Sequence, residues 1–293
     1  MSLHPQRIDN LIDFLDKVES TLSRSEFHNE KKADLIEDLR IEVIEVLKMA
    51  FLEGDQTVRR SAIYGLSKIG LEQSLDFFID ALKDPDEHVR GWAAEALGRL
   101  QDARAIIPLI KALADDNHYV AFNVAASLKH FQPGQIIKPL VRALQDPSFL
   151  IRRRVCKLLG ELGDTCVTED IISAIKDEEP GVRYEAVEAL RKLKNPLSVL
   201  PLISALNDQN HDVRTVAIIA LGDFGDERAI EPLISMVIEQ KDHRHACIEA
   251  LRKLCGEENL EPLYELIRSC KKLVSATSEA IFNQYLSKKN ARH

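Results

Sequence analysis

The sequence predicts an all-α solenoid of stacked helical hairpins, and three observations carry that prediction. A twelve-residue segment recurs down the chain at a nearly constant step. Its apolar positions follow the period of a helix. A second, proline-bearing column recurs at a fixed distance from the first. The segment reads VRGWAAEALGRL at residues 89–100. Its first place is held by Val58, Val89, Val120, Ile151, Val182, Val213 and His243, at steps of 31 residues with a last step of 30. Its second place is Arg59, Arg90, Arg152, Arg183, Arg214 and Arg244, with Ala121 the exception. Its ninth place is leucine in every copy, from Leu66 to Leu251. Nineteen residues after the first place stand Pro108, Pro139, Asp170, Pro201, Pro232 and Pro262. Length alone would suggest about two domains, but a period of this kind describes a repeat array instead.

Taken in order, the chain opens with an amphipathic stretch (Ile8, Leu11, Ile12, Phe14, Leu15), so residues 1–39 are expected to form an N-terminal helical cap. Seven repeats follow, at 40–70, 71–101, 102–132, 133–163, 164–194, 195–225 and 226–255. Within each, a first helix carries the proline column, as in Ile107 to Leu113. Proline is tolerated in the first turn of a helix because that N–H has no intrahelical partner. A short turn follows, such as Asp84-Pro85-Asp86 or Asn207 to Asn210. There Asp86 or Asn210 can accept from the free N–H groups that open the second helix. The second helix is the recurring segment, and Gly70, Gly163 and Gly225 mark its end. Residues 256–293 are expected to be a capping repeat, with Lys271 to Asn290 as a polar-faced terminal helix.

The recurring segment also predicts what is buried. At 100° per residue its places 1, 5, 8, 9 and 12 fall within an arc of roughly 100°. Place 5 is small in most copies (Ala62, Ala93, Ala186, Ala217, Cys247), whereas place 12 is large (Leu100, Phe131, Leu162, Phe224). Small residues alternating with leucine suit close helix-on-helix stacking. One hairpin cannot cover its own apolar stripe, so neighbours must stack. Cys156 and Cys247 stand in columns otherwise held by Ala, Val or Ile and are expected in the core.

The signature DPxxVRxxAAxALGxL, nearly complete from Asp84 to Leu100, resembles the HEAT-like repeat of the phycobilisome-lyase (PBS lyase) family over residues 40–290. The resemblance implies a right-handed α-solenoid whose second helices line a concave surface. It also implies that the motif arginine bridges to the turn aspartate of a neighbouring unit. Members of that family include phycobilin lyase subunits, phycobilisome-degradation factors, deoxyhypusine hydroxylase and scaffolds. The hydroxylase holds two irons through His-Glu dipeptides, and none of the nine histidines here precedes a glutamate. Hydroxylase chemistry is therefore not expected.

Composition narrows the function further. Thirty-nine Lys and Arg stand against forty-seven Asp and Glu, a formal charge of −8, which argues against nucleic-acid binding through bulk charge. Residues 1–54 hold seven basic and twelve acidic residues, so most of the excess lies there. The longest apolar run, Val216 to Leu221, is far short of the ~20 residues that span a bilayer. The first ten residues lack the apolar core of a signal peptide. Five cysteines without a CxxC pair fit free thiols in a reducing, cytoplasmic setting. No Gly-rich phosphate loop, nucleophile elbow or metal-ligand pattern is present, so no catalytic residue, cofactor or metal site is assigned.

Candidate partner residues come from places 3, 4, 7 and 11, opposite the buried arc, where stacking dictates nothing. Aromatics and arginines there suit interface anchors. The row is Tyr64, Trp92, Phe122, Asn123, His130, Arg153, Arg154, Lys157 and Tyr184. Trp92 and Phe122 can alternatively fill a gap between adjacent inner helices. The motif arginines are read as a structural ladder of exposed pairs, each contributing ~0.5 kcal/mol. The expected function is a non-catalytic scaffold holding a protein or peptide in the concave groove. A bilin lyase-like or bilin-detaching subunit is the alternative that the resemblance invites. A nucleic-acid reader using Arg60, Arg99, Arg153, Arg154 and Lys157 is a third, though Glu95, Glu161, Glu185 and Glu188 interrupt that strip.

Overall fold

Short polar side chains start the second helices by occupying N–H groups that have no helical partner. Asp86 accepts from the His88 and Val89 amides at 2.9 and 3.1 Å, and Asn210 from those of Asp212 and Val213 at the same distances. Asn117 serves Tyr119 and Val120 in the same way. A computed structural model describes residues 5–23, 29–69, 72–239 and 243–255. The expected C-terminal cap at 256–293, Gly70 and Cys270 lie outside these residues.

Among the described residues all regular structure is helical, and there is no strand. Two leading helices are α1 (Pro5–Ser23) and α2 (Asn29–Glu53). They are followed by α3 (Gln56–Ile69), α4 (Leu75–Ala81), α5 (Glu87–Leu100), α6 (Ile106–Ala112) and α7 (His118–Leu128). Then come α8 (Pro133–Ala143), α9 (Phe149–Leu162), α10 (Thr168–Ala174) and α11 (Pro180–Leu193). The last are α12 (Val199–Ala205), α13 (His211–Phe224), α14 (Ile230–Glu239) and α15 (Arg244–Cys255). The architecture is the α-solenoid that the periodicity predicts. Two compact units divide the chain, residues 1–139 and 140–293. In the first, α3, α5 and α7 pack side by side as second helices, backed by α2, α4 and α6. In the second, α9, α11, α13 and α15 do so, and α10, α12 and α14 back the last three.

Second helices end where the backbone turns left-handed. Gly163 and Gly225 adopt φ of 73° and 70°, a region open to glycine without a Cβ penalty. Gln101 and Lys194 adopt φ of 54° and 51° at equivalent ends, against a cost of about 1–2 kcal/mol. Each of the four donates its N–H to the carbonyl four residues back.

Burial is wider than the predicted arc. Places 1, 5, 8 and 9 are buried as expected, but place 6 (Ile63, Ala94, Cys156, Val187, Ile218) is buried too. Place 10 joins it at Ser67, Gly98, Gly160 and Gly222, while place 12 is mostly half-buried. The reason is that a second helix packs against its own first helix and against a second helix on either side. Glycine at place 10 permits that lateral approach. A Cβ on Gly160 would lie 2.6 Å from Ala189 Cα, one on Gly98 2.6 Å from Ser127 Cβ, and one on Gly222 2.9 Å from Ala250 Cα. In each case the neighbour is place 8 of the next repeat.

The arginine ladder forms, and it is largely buried rather than exposed. Arg90 donates to Asp115 at 2.6 and 3.0 Å and to the Asp84 and Pro85 carbonyls at 2.8 and 3.1 Å. Arg152 and Arg183 repeat the pattern on Asp177 and Asp208. Arg59 reaches Asp84 at 3.1 Å. Arg90, Arg152 and Arg183 thus tie the turn before their own helix to the turn of the following repeat. The Arg152–Asp177 side chains are only 9% and 11% exposed, so the surface value of ~0.5 kcal/mol understates what losing one partner removes. Burial alone would raise the Asp177 and Asp208 carboxyls, but the arginine bonds outweigh it and hold both below their ordinary value.

Gly160→Val should destabilise the chain by about 2–3 kcal/mol through overpacking against Ala189. Chemical denaturation followed by circular dichroism measures this, and an unshifted midpoint would contradict the close approach of α9 and α11.

Candidate partner-binding surfaces

In the first unit the second helices bring an aromatic row to the surface. Tyr64 from α3 lies with its ring centroid 5.9 Å from that of Trp92 on α5. His88, one turn earlier on α5, stands 5.9 Å from Trp92 and 5.8 Å from Tyr119 on α7. The Lys68 ammonium sits 5.3 Å over the Tyr64 ring, a cation–π contact. Gly91 makes room for this row, since a Cβ there would meet the Tyr119 ring at 2.6 Å. Trp92 is half-buried between its neighbours, so the ring fills a gap between helices and still presents an edge to solvent. Phe122 is 72% exposed and plugs no gap. Asn123 is half-buried beside it, and His130 is exposed in the turn beyond α7.

Arg60, at place 3, serves the fold. Its guanidinium binds Asp86 at 2.7 Å, where Gln56 donates as well, so the cap of α5 is anchored by the preceding repeat. Burial pushes the Asp86 carboxyl up, but the Arg60, Gln56 and Val89 bonds outweigh it and hold it far below its ordinary value.

In the second unit, Arg153 on α9 pairs with Glu185 of α11 at 3.5 Å. Arg153 and Tyr184 both line a cleft of ≈ 550 Å³ bounded by α11 and α13. Pro180 and Gly181 form one edge, Val216 and Ile219 the apolar side, and Glu188 and Asp212 the charged part. Arg191 donates to Glu188 at 2.8 Å and to Asp223 at 2.8 Å, and Lys253 reaches Asp223 at 2.7 Å. Burial first, then the Glu188, Glu185 and Asp212 carboxylates, raise the Tyr184 phenol. Arg154 is half-buried and Lys157 exposed, and neither lines the cleft. Of the nine predicted residues, the structure therefore joins Tyr64 with Trp92, and Arg153 with Tyr184.

Sequence reasoning passed over His88 and Tyr119 as partners of Trp92, and over Glu188, Asp212 and Ile219 as cleft residues. Place 7, which holds Glu188 and Ile219, is exposed or half-exposed in every repeat, and that was the available signal. His243, in the column usually held by valine, is buried as that column predicts, but its contact with the His211 ring, with centroids 4.4 Å apart, was not foreseen. Cys156 and Cys247 are buried as expected, and burial pushes both thiols up to about 12. Among the described residues no group of three or more His, Cys, Asp or Glu side chains is placed to share a metal ion. No described helix is long and apolar enough to cross a membrane.

The family model for HEAT repeats matches residues 43–129, 108–168, 137–200 and 199–281. The chain belongs to the HEAT-repeat family. Among solved structures, this HEAT-repeat chain resembles one in the complex of Kap95p with RanGDP, with TM-score 0.55 and 13% identity. That match covers 86% of this chain and 41% of the other, and at that identity the likeness is one of fold. Escherichia coli YibA matches with TM-score 0.46 at 17% identity, covering 84% of this chain and 96% of YibA. Human deoxyhypusine hydroxylase in complex with glycerol matches with TM-score 0.38 at 19% identity, covering 87% and 100%. Comparison with curated proteins returns no match.

Two outcomes follow for this HEAT-repeat chain. Asp86→Ala should destabilise it at neutral pH by about 1 kcal/mol through the lost cap alone. Because the native carboxyl titrates below its ordinary 3.8, the wild-type advantage is complete above that value and shrinks as pH falls beneath it. Denaturation midpoints at neutral and acid pH give the comparison, and a gap that widens in acid would contradict it. At neutral pH, iodoacetamide should label Cys156 and Cys247 only after unfolding, as read by peptide mass mapping.

Proposed function

We propose that this HEAT-repeat chain is a non-catalytic cytoplasmic scaffold that holds a protein or peptide partner on the faces of its second helices. The aromatic row of the first unit carries the reading. Tyr64, Trp92 and Tyr119 present apolar surface and ring-borne donors, and 72%-exposed Phe122 stands beside them. Large aromatics held in place by packing yet open to solvent are the side chains that anchor interfaces. Asn123 and His130 border the row, while the second unit contributes the charges of Arg153, Arg154 and Lys157 and the ring of Tyr184. We also infer that the repeats are of the PBS-lyase HEAT-like subtype, on the 31-residue step and the Asp84–Leu100 signature. Residues 1–39 and 256–293 are taken as end caps of the seven repeats.

Affinity purification of the tagged chain from its native host tests the scaffold reading. Trp92→Ala combined with Phe122→Ala should reduce partner recovery at least tenfold, since each anchor contributes about 2 kcal/mol, with an unchanged circular dichroism spectrum. Equal recovery by the folded double variant would reject the placement.

A further inference from the structure

The charged lining of the cleft between α11 and α13 is mainly acidic, with Glu188 and Asp212 against Arg153. Both Arg191 bonds to Glu188 land on one oxygen, Oε2, at 3.0 and 2.8 Å. Among the described residues Oε1 accepts no hydrogen bond. Glu185 has Arg153 at 3.5 Å, an ion-pair distance longer than a good hydrogen bond. The Asp212 carboxylate has the His211 ring at 3.6 Å, and its side chain is 78% exposed. Among the donors, the Thr215 hydroxyl is already directed to the His211 carbonyl at 3.0 Å. The free N–H groups of α13 are occupied by Asn210, so that helix start offers an anion nothing. Of the charged side chains that line the cleft, two carboxylates, Glu188 and Asp212, thus face one guanidinium, Arg153.

The apolar part of the cleft is as definite as the charged part. Tyr184, Val216 and the 41%-exposed Ile219 form a surface suited to a methylene chain, and long basic side chains bury their stems against such surfaces while keeping the head on polar groups. We propose that this cleft receives a lysine or arginine side chain from an extended partner segment, with the stem along Tyr184, Val216 and Ile219 and the cationic head on Glu188 and Asp212. This deepens the scaffold reading and rests on it.

Methyl NMR of the full chain tests the assignment, with capped GSKSG and GSRSG peptides as probes. The Ile219 and Val216 methyl signals should move with both peptides, and added salt should weaken the effect. The same peptide with norleucine or glutamate at the centre should leave them in place. Glu188→Gln should weaken binding about tenfold by removing a charge-assisted acceptor, and the exposed Asp212→Asn should weaken it without touching the Arg191 contacts. An equal response to norleucine, undiminished binding in both variants, or a response to free spermidine but to neither peptide would overturn the proposal. The two readings fail separately. A native partner lost in the Trp92→Ala/Phe122→Ala chain sustains the scaffold even when no peptide enters the cleft. Peptide entry with that partner recovered equally by both chains sustains the cleft alone.

Discussion

Lateral approach of one second helix to the next is the constraint on which this fold depends. A single hairpin leaves its leucine seam open to water, and the seam closes only when the neighbouring hairpin lies against it. Backbones must come close for that to happen. Place 10 and the facing place 8 set the limit, with glycine meeting serine or alanine at Gly98–Ser127, Gly160–Ala189 and Gly222–Ala250. The proline column, the turn caps and the left-handed helix ends serve the same requirement by holding each hairpin at the angle its neighbour needs.

The turns are held by charge rather than by apolar contact. Arg59 bonds the Asp84 carboxylate and Arg214 the Asp208 and Gln209 carbonyls, but Arg90, Arg152 and Arg183 each spend their donors on two carbonyls of their own turn and one carboxylate of the next. That carboxylate in turn accepts a backbone N–H two residues on, as Asp115 does from Asn117 and Asp208 from Asn210. Arg60 and Asp86 add a second tie of this kind one helix-face away. Buried, fully bonded pairs of this sort contribute mainly by fixing geometry, because their desolvation offsets much of their attraction. Successive turns therefore stay in register while the leucine seams supply most of the stabilisation.

How much was legible in the sequence follows from which forces repeat. The hairpins, the capping residues and the ladder recur every 31 residues, so each is written up to seven times and stands out against variation. Burial of places 6 and 10 was less legible, because a helical wheel treats one helix facing one partner, and here α5, α11 and α13 each have three. Side-chain meetings that occur once left the weakest trace. His243 against His211 is visible only as a histidine where valine is usual, and nothing in the spelling says which ring it meets. Trp92 was legible as an anchor but not as the centre of a row, because His88 and Tyr119 belong to helix starts rather than to the columns that mark the surface.

Repetition also explains why the two units can carry different chemistry on one architecture. Places 1, 5, 8 and 9 are committed to stacking, as is place 10 where it is Ser67, Gly98, Gly160 or Gly222, and place 2 carries the ladder. Places 3, 7 and 11 touch neighbours chiefly through side-chain ends. In the first unit they hold Tyr64, Lys68 and Phe122 beside Trp92, an aromatic surface with one ammonium laid over it. In the second they hold Arg153, Tyr184, Glu188 and Ile219, a cleft with an apolar wall and a surplus of carboxylate oxygens. Neither set disturbs a seam, because none of these side chains lies between backbones. The freedom is not complete: Gly91 in place 3 and Val216 in the adjoining place 4 are buried, the first beneath Tyr119 and the second on the wall of the cleft. Where a surface residue is drawn into packing in this way, its neighbours become fixed in place. Such positions are where a repeat surface turns from a solvated face into a site.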